Sequence, residues 1–238
     1  MSNPTSKLLD EQLPPLRVTI ERQFRIANIP VTQWQYAIVM GNNPSKFQLG
    51  QGSTIAMIDG TRVPMRPNNP IENVTSKQVN EFLRVVNEWS KNDDKRIYSI
   101  FSNHIPHAVI RLPTEEEWEY VARNCGKWTG TYPDGVNETN FHEYGWTNEL
   151  TERSVYTTHP VCELKPIIAD ENRQFYDLLG NVWEYVDSKP NGYSLFRGGD
   201  YRGISVKVLR LFGETFSFVS NPGGSFVGFR VVEEPLQP

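Results

Sequence analysis

Cysteine is scarce in this chain: Cys125 and Cys162 are the two among 238 residues. That excludes a disulfide-dense scaffold. Positive charge is not in excess either, since 24 Lys and Arg stand against 28 Asp and Glu, for a net charge of −4. No basic field exists to hold a phosphate backbone, so nucleic acid is not an expected partner. No apolar run reaches the roughly 18–20 residues that span a bilayer. The start Met1-Ser2-Asn3-Pro4-Thr5-Ser6-Lys7 leads into no signal-type apolar stretch. The expected location is therefore cytoplasmic, with a place in a virion or surface assembly left open. The sequons Asn73-Val74-Thr75 and Asn137-Glu138-Thr139 are then expected to stay unused. Glycine and proline, at 17 each, fall well short of the share that marks disordered or collagen-like chains.

What is present reads as one domain over 17–234, with a polar lead-in over 1–16 and a tail over 235–238. Val18, Ile20, Phe24 and Ile26 alternate with polar residues, as one strand or two short ones would. Thr32 and Gln35 have capping-box spacing and Gly41 sits where that helix would stop. Residues 42–69, rich in Gly, Pro, Asn and Ser, read as an ordered loop with room for a hairpin. Thr75 and Gln78 cap the strongest helix, about Ser76 to Asn92, with Val79, Phe82, Val86 and Trp89 on one face. Thr114 and Glu117 cap a third, which turns Trp118, Val121 and Ala122 inward and stops near Gly126. Beyond it the helical period fades, and Trp183–Val186 and Phe229–Val232 read as strands. The class is α+β, with helices in the first half and a loop-rich β second half.

Seven phrases occur in order: Ile29-Pro30-Val31-Thr32-Gln33-Trp34-Gln35-Tyr36; Pro70-Ile71-Glu72-Asn73-Val74-Thr75; Arg111 to Arg123, reading RLPTEEEWEYVAR; Thr158-His159-Pro160-Val161; Tyr176 to Tyr185, reading YDLLGNVWEY; Arg197-Gly198-Gly199-Asp200-Tyr201; and Gly228-Phe229-Arg230-Val231-Val232. Together they resemble the formylglycine-generating enzyme, or sulfatase-modifying factor, family over roughly 17–232. The resemblance implies a C-type-lectin-like fold: a twisted, largely antiparallel sheet, two main helices and much irregular chain.

The family's oxidases bind copper(I) through a cysteine pair just after the RGG phrase, and soft thiolates suit that ion. The matching positions here are Gly203 and Val208. Neither binds copper, so the family's oxidase chemistry and a copper cofactor are not expected. Cys125 and Cys162 match no metal spacing and read as free or buried thiols, with a disulfide or metal role as the alternative. His104 and His107 could offer two imidazoles to a metal, against a reading as a solvated loop pair. The YDLLGNVWEY phrase implies a structural calcium held by Asp177 and Glu184 and by the carbonyls of Gly180 and Val182. Hard oxygen donors suit that ion, and a capped turn is the alternative.

With the copper ligands missing, the expectation is a binding module that is not an enzyme and takes a protein or small-molecule ligand. Variable proteins diversified by retroelements use the same fold, and alter the segment between the RGG and GFR phrases to bind ligands. The candidate ligand-binding residues are Asp200, Tyr201, Arg202, Ser205, Phe216, Phe218, Asn221 and Phe226. Aromatic anchors among small polar neighbours have the composition of a paratope, although the phenylalanines could instead fill the core. An enzyme of altered chemistry, drawing on Asp200, Arg202, Lys207, Arg210 and Glu214, and a structural subunit of a larger assembly are the alternative readings.

Overall fold

The computed structural model describes residues 18–128, 130, 132–147, 156–170, 172–187, 194–203, 216–218 (backbone only) and 224–236. In chain order the elements are β1 (Arg25–Ile26), α1 (Gln33–Met40), β2 (Thr54–Ile58), β3 (Thr61–Met65), α2 (Ser76–Lys91), α3 (Arg96–Ile100), β4 (Val109–Arg111), α4 (Glu115–Ala122), β5 (Gly145–Trp146), β6 (Ile167–Asp170), β7 (Arg173–Phe175), β8 (Leu179–Gly180), β9 (Trp183–Val186), β10 (Ser194–Arg197), β11 (Phe216–Phe218), β12 (Val227–Phe229) and β13 (Val232–Glu234).

Three helices begin the same way. Thr32, Thr75 and Thr114 each accept from the backbone N–H three residues on, while Gln35, Gln78 and Glu117 reach back to the cap's own N–H. Two of the N–H groups that a helix start leaves orphaned are thereby satisfied at each end. Helix α2 buries Val79, Phe82, Val86 and Trp89 along one stripe. Tyr36 of α1 stacks on Phe82 with ring centroids 5.7 Å apart, and Phe82 meets Phe229 of β12 edge-on at 5.2 Å. This core joins α1 and α2 to β9, β10 and β12. A second core gathers Trp118 and Val121 of α4 with Phe175, Leu178, Leu179 and Val186.

The strands form a four-stranded sheet, β11-β10-β9-β12, a three-stranded sheet, β1-β13-β4, and three two-stranded ladders. Pairing is antiparallel except for β9 with β12 and β5 with β8. The expected Phe229–Val232 strand is in fact two. Phe229 closes β12 and Val232 opens β13 in the other sheet, and Arg230 occupies the break. Its guanidinium is fully buried. It donates through Nε and Nη2 to Glu184 at 2.7 Å each, through Nη1 to Ala27 O at 3.0 Å and through Nη2 to Tyr176 O at 2.9 Å. Trp118 Nε1 also donates to Glu184 Oε2, at 2.7 Å. A charge this deep persists because each of its three nitrogens has an acceptor, and continuing the strand would pull that arginine off its partners.

The N-terminal strand expectation shortens to Arg25–Ile26, and Val18 is exposed. Alternation alone was not enough, because β13 pairs with only these two residues. The hairpin anticipated inside 42–69 is β2–β3, whereas α3 had no sequence signal. Two glycines are sterically required. A Cβ on Gly180, at φ +73°, would lie 1.9 Å from Trp146 O, and one on Gly228 would lie 2.3 Å from Ile71 O.

Candidate functional site

One face is assembled from loops 43–50, 66–73, 157–161, 200–203 and 224–226 together with Trp146 and Thr147. Asn181 stitches it. Its backbone N–H donates to Trp146 O at 3.1 Å, its Oδ1 accepts from His159 N at 3.1 Å, and its carbonyl accepts from Tyr201 N at 3.1 Å. The His159 ring lies flat on Trp146, with centroids 3.7 Å apart and planes 5° apart. Burial, and then the nearby Arg66 charge, push the His159 pKa down to about 4, so the imidazole is neutral at pH 7.

The RGG segment feeds this face differently from the sequence expectation. Asp200 and Tyr201 are buried and not open to a partner. Asp200 accepts from Arg202 N at 2.7 Å and pairs with the Arg202 guanidinium at 2.7 Å. That clamp holds the guanidinium 3.7 Å over the Phe226 ring, a cation–π contact. Tyr201 packs edge-on against Phe47 at 5.5 Å, and its hydroxyl is 3.4 Å from Ser225 Oγ. Arg202 is exposed and Phe226 half-buried. The reason is local: an aspartate two residues before an arginine closes on its own backbone, which turns the carboxylate inward. Phe216 and Phe218 lie on β11, paired with β10. Ser205, Asn221, Lys207, Arg210, Glu214 and Val208 fall outside the described residues.

Sequence reasoning passed over Glu72, which is fully buried beside this site. Its Oε1 accepts from Phe47 N at 2.8 Å, its own N–H donates to Ser45 Oγ at 3.3 Å, and Oε2 has no partner among the described residues. Burial outweighs the backbone hydrogen bonds from Phe47 and Lys46, and pushes the carboxyl up to about 7. Three more buried polar atoms on this face lack partners among the described residues: Arg66 Nε, Trp146 Nε1 and Thr147 Oγ1. Buried polar groups are almost always paired, so the four on this face make it the candidate site. No single residue in the sequence could have signalled it, because each is unremarkable until the fold buries it.

Of the other candidates, Gly203 alone of those described stays on this face, where a Cβ would approach Asp200 O at 3.3 Å and Thr147 at 3.8 Å. Cys125 and Cys162 are free thiols and line a separate groove with Phe24, Ile26, Arg173 and Tyr176. Burial raises the pKa of both, which is the opposite of a reactive thiolate.

His104 is not solvated. Its Nδ1 lies 2.5 Å from Glu233 Oε1 and its Nε2 lies 3.1 Å from Ser90 Oγ. The order resembles a hydrolase triad, but Ser90 is 1% exposed and its hydroxyl donates to Ala108 O at 2.7 Å. The trio is a clamp between α2, the loop after α3 and β13. His107 is exposed and not part of it.

The expected calcium donors do not fit that ion as arranged. Both Glu184 oxygens already meet Arg230, and one also meets Trp118. Asp177 accepts from Cys162 N and Asn181 Nδ2 at 3.1 Å each. A cation entering between these carboxylates would face a guanidinium. Among the described residues, no group of three or more His, Cys, Asp or Glu side chains is placed to hold a metal.

These features define an α+β protein of the C-type-lectin-like class whose candidate site lies among loops. A family model for the sulfatase-modifying factor enzyme 1-like domain matches residues 1–235. The chain belongs to that family. It is 39% identical to the mouse (Mus musculus) inactive C-alpha-formylglycine-generating enzyme 2 over 83 residues, 33% of this chain and 26% of that protein. The match thus spans about a quarter of that relative's length. It is 26% identical to chaperone protein LppX of Paenibacillus barcinonensis over 237 residues, covering 88% of this chain and 79% of that one. Among solved structures, Treponema denticola variable protein 1 superposes with a TM-score of 0.65 at 24% identity, covering 89% of this chain and 84% of its own. PvdO from Pseudomonas aeruginosa gives 0.63 at 20% identity, covering 99% and 90%. At these identities the two structures speak for the fold. Among the described residues no helix is long and apolar enough to cross a membrane.

Proposed function

We propose that this chain is a non-catalytic binding module that holds a protein or small-molecule ligand against the loop face around Arg202 and Phe226. The carrying observation is the presence on that face of four buried polar atoms without partners among the described residues, on Arg66, Glu72, Trp146 and Thr147. Leaving such atoms bare costs about 1–3 kcal/mol each, a cost that a bound ligand's own polar groups would offset. Glycine at 203 and valine at 208 in place of the copper-binding cysteines support a scaffold that holds without oxidising. Asp200 and Tyr201 act in this reading by positioning Arg202 and Ser225, and Arg202 meets the ligand.

The reading is tested by placing a photo-crosslinking residue at position 202, and separately at Arg84, an exposed residue of α2. Each protein is then irradiated in extract of its own source. Adducts at 202 that are absent at 84 and lost in Phe226→Ala support the module. Equal adducts at both positions, or tight copper(I) uptake with oxygen consumption over a thiol peptide, would overturn it.

A second reading rests on Glu72. A buried carboxyl with a pKa near 7 and one uncommitted oxygen is suited to moving a proton at neutral pH. It predicts a turnover that Glu72→Gln abolishes while the fold is retained.

A further inference from the structure

We propose that Arg66, Trp146 and Thr147 form a site for an oxyanion group, the carboxylate, phosphoryl or sulfonyl oxygens of whatever this face binds. The inference rests on the binding-module reading and names the chemistry of its ligand.

Arg66 carries a charge with no carboxylate paired to it among the described residues. Its Nη1 donates to Thr157 Oγ1 at 3.0 Å and its Nη2 to Leu49 O at 2.5 Å. Both acceptors are neutral, and Nε is buried without one. Gly50 permits this arrangement, because a Cβ there would lie 2.3 Å from Nη2. The other bare groups are the indole N–H of Trp146 and the hydroxyl of Thr147, which is 2% exposed.

Arg66 and Trp146 belong to one cluster, and Thr147 follows Trp146 directly in the chain. Trp146 stacks on His159, Asn181 bonds to both, and Arg66 is held by Thr157, two residues before His159. Arg66, Trp146 and His159 are each only half-buried, so the cluster reaches the surface. Its bare groups include one charged donor, one obligate donor and one hydroxyl able to donate. The face's bare acceptor, Glu72 Oε2, belongs instead with Phe47 and Tyr201. A cation would find no charge to balance it beside Arg66, whereas an ionised oxygen group would accept from all three and neutralise the guanidinium.

The test uses the full chain labelled with ¹⁵N-tryptophan. It contains six tryptophans, and a Trp146→Phe spectrum identifies the indole resonance of interest. Acetate, phosphate and sulfate are titrated separately at constant ionic strength held with sodium chloride. The expected result is a saturable shift of the Trp146 indole with at least one anion, and the anion that works distinguishes carboxylate from phosphoryl or sulfonyl recognition. Arg66→Lys keeps the charge and loses Nε–H, and it should weaken binding about tenfold, as should Thr147→Val. The other five indole resonances report whether each variant is folded, and Thr147→Val carries the test if the arginine variant does not fold. A Trp146 resonance that ignores all three anions, or moves only in step with the other indoles, would overturn the site. In that event crosslinks confined to position 202 would leave the binding-module reading standing. A saturable shift without such crosslinks would do the reverse.

Discussion

The two most deeply placed carboxylates with structural partners, Glu184 and Glu72, sit in opposite circumstances. Glu184 meets Arg230 and Trp118, and the arginine's remaining donors meet Ala27 and Tyr176. Glu72 is just as buried, yet it meets two backbone amides and leaves one oxygen bare. Arg66, on the same face as Glu72, has only neutral acceptors among the described residues. Complete satisfaction is what an architectural ion pair needs. Partial satisfaction is what a site held ready for something else looks like. The difference separates the scaffold from the face proposed to bind, without any appeal to sequence motifs.

The sharpest way to break the comparison is Arg230→Met. It strands Glu184, and should cost about 3–5 kcal/mol in urea denaturation, with Arg230→Met/Glu184→Leu recovering much of the loss. Equal losses in the single and double variants would show that packing, not charge balance, holds this centre. Glu72→Gln comes next. The Glu72 pKa rises from the ordinary 4.5 to about 7 in the fold. Between those values the folded chain keeps a proton that the unfolded chain has released. The corresponding stability is complete below the lower value and is lost as pH rises through the upper. Wild type should therefore lose up to about 3 kcal/mol more than the variant between pH 5 and 8. Asp177, also raised by burial, contributes to both proteins and cancels in the difference. Thr75→Ala removes a cap from α2 and should cost about 1 kcal/mol in the same assay, with ligand binding unchanged. The smallest effect is expected from calcium. Because the Asp177 and Glu184 oxygens are engaged, saturating calcium should leave Tm unchanged, and a clear rise would show that the ion displaces Arg230 from Glu184.

What could be read from the sequence tracks how local the physics is. The caps at Thr32, Thr75 and Thr114 each act within three residues, and the apolar stripe of α2 repeats within two turns, so both were legible. The β12–β13 break was not, since it depends on Glu184, 46 positions away. The RGG segment does feed the loop face described above, through Arg202 over Phe226. It misplaced Asp200 and Tyr201, because alternation and composition do not say which way an aspartate turns when its own backbone competes for it. Glu72 lay inside a recognised phrase, Pro70 to Thr75, but its interest comes from desolvation, which only the assembled fold supplies. His104 was misjudged for a similar reason: its partners Ser90 and Glu233 lie 14 and 129 positions away.

The path of β12 and β13 has a temporal consequence. Within eight residues, Val227 to Glu234, the chain completes one sheet beside β9 and then slots between β1 and β4 in the other. Both neighbours in the second sheet precede it by more than a hundred positions. A nascent chain emerging from the ribosome can therefore wind its capped helices early, but neither sheet can close until these strands have left the exit tunnel. Acquisition of the native state therefore waits for these two strands to be made, and anything that shields the waiting edges in the interval would govern yield.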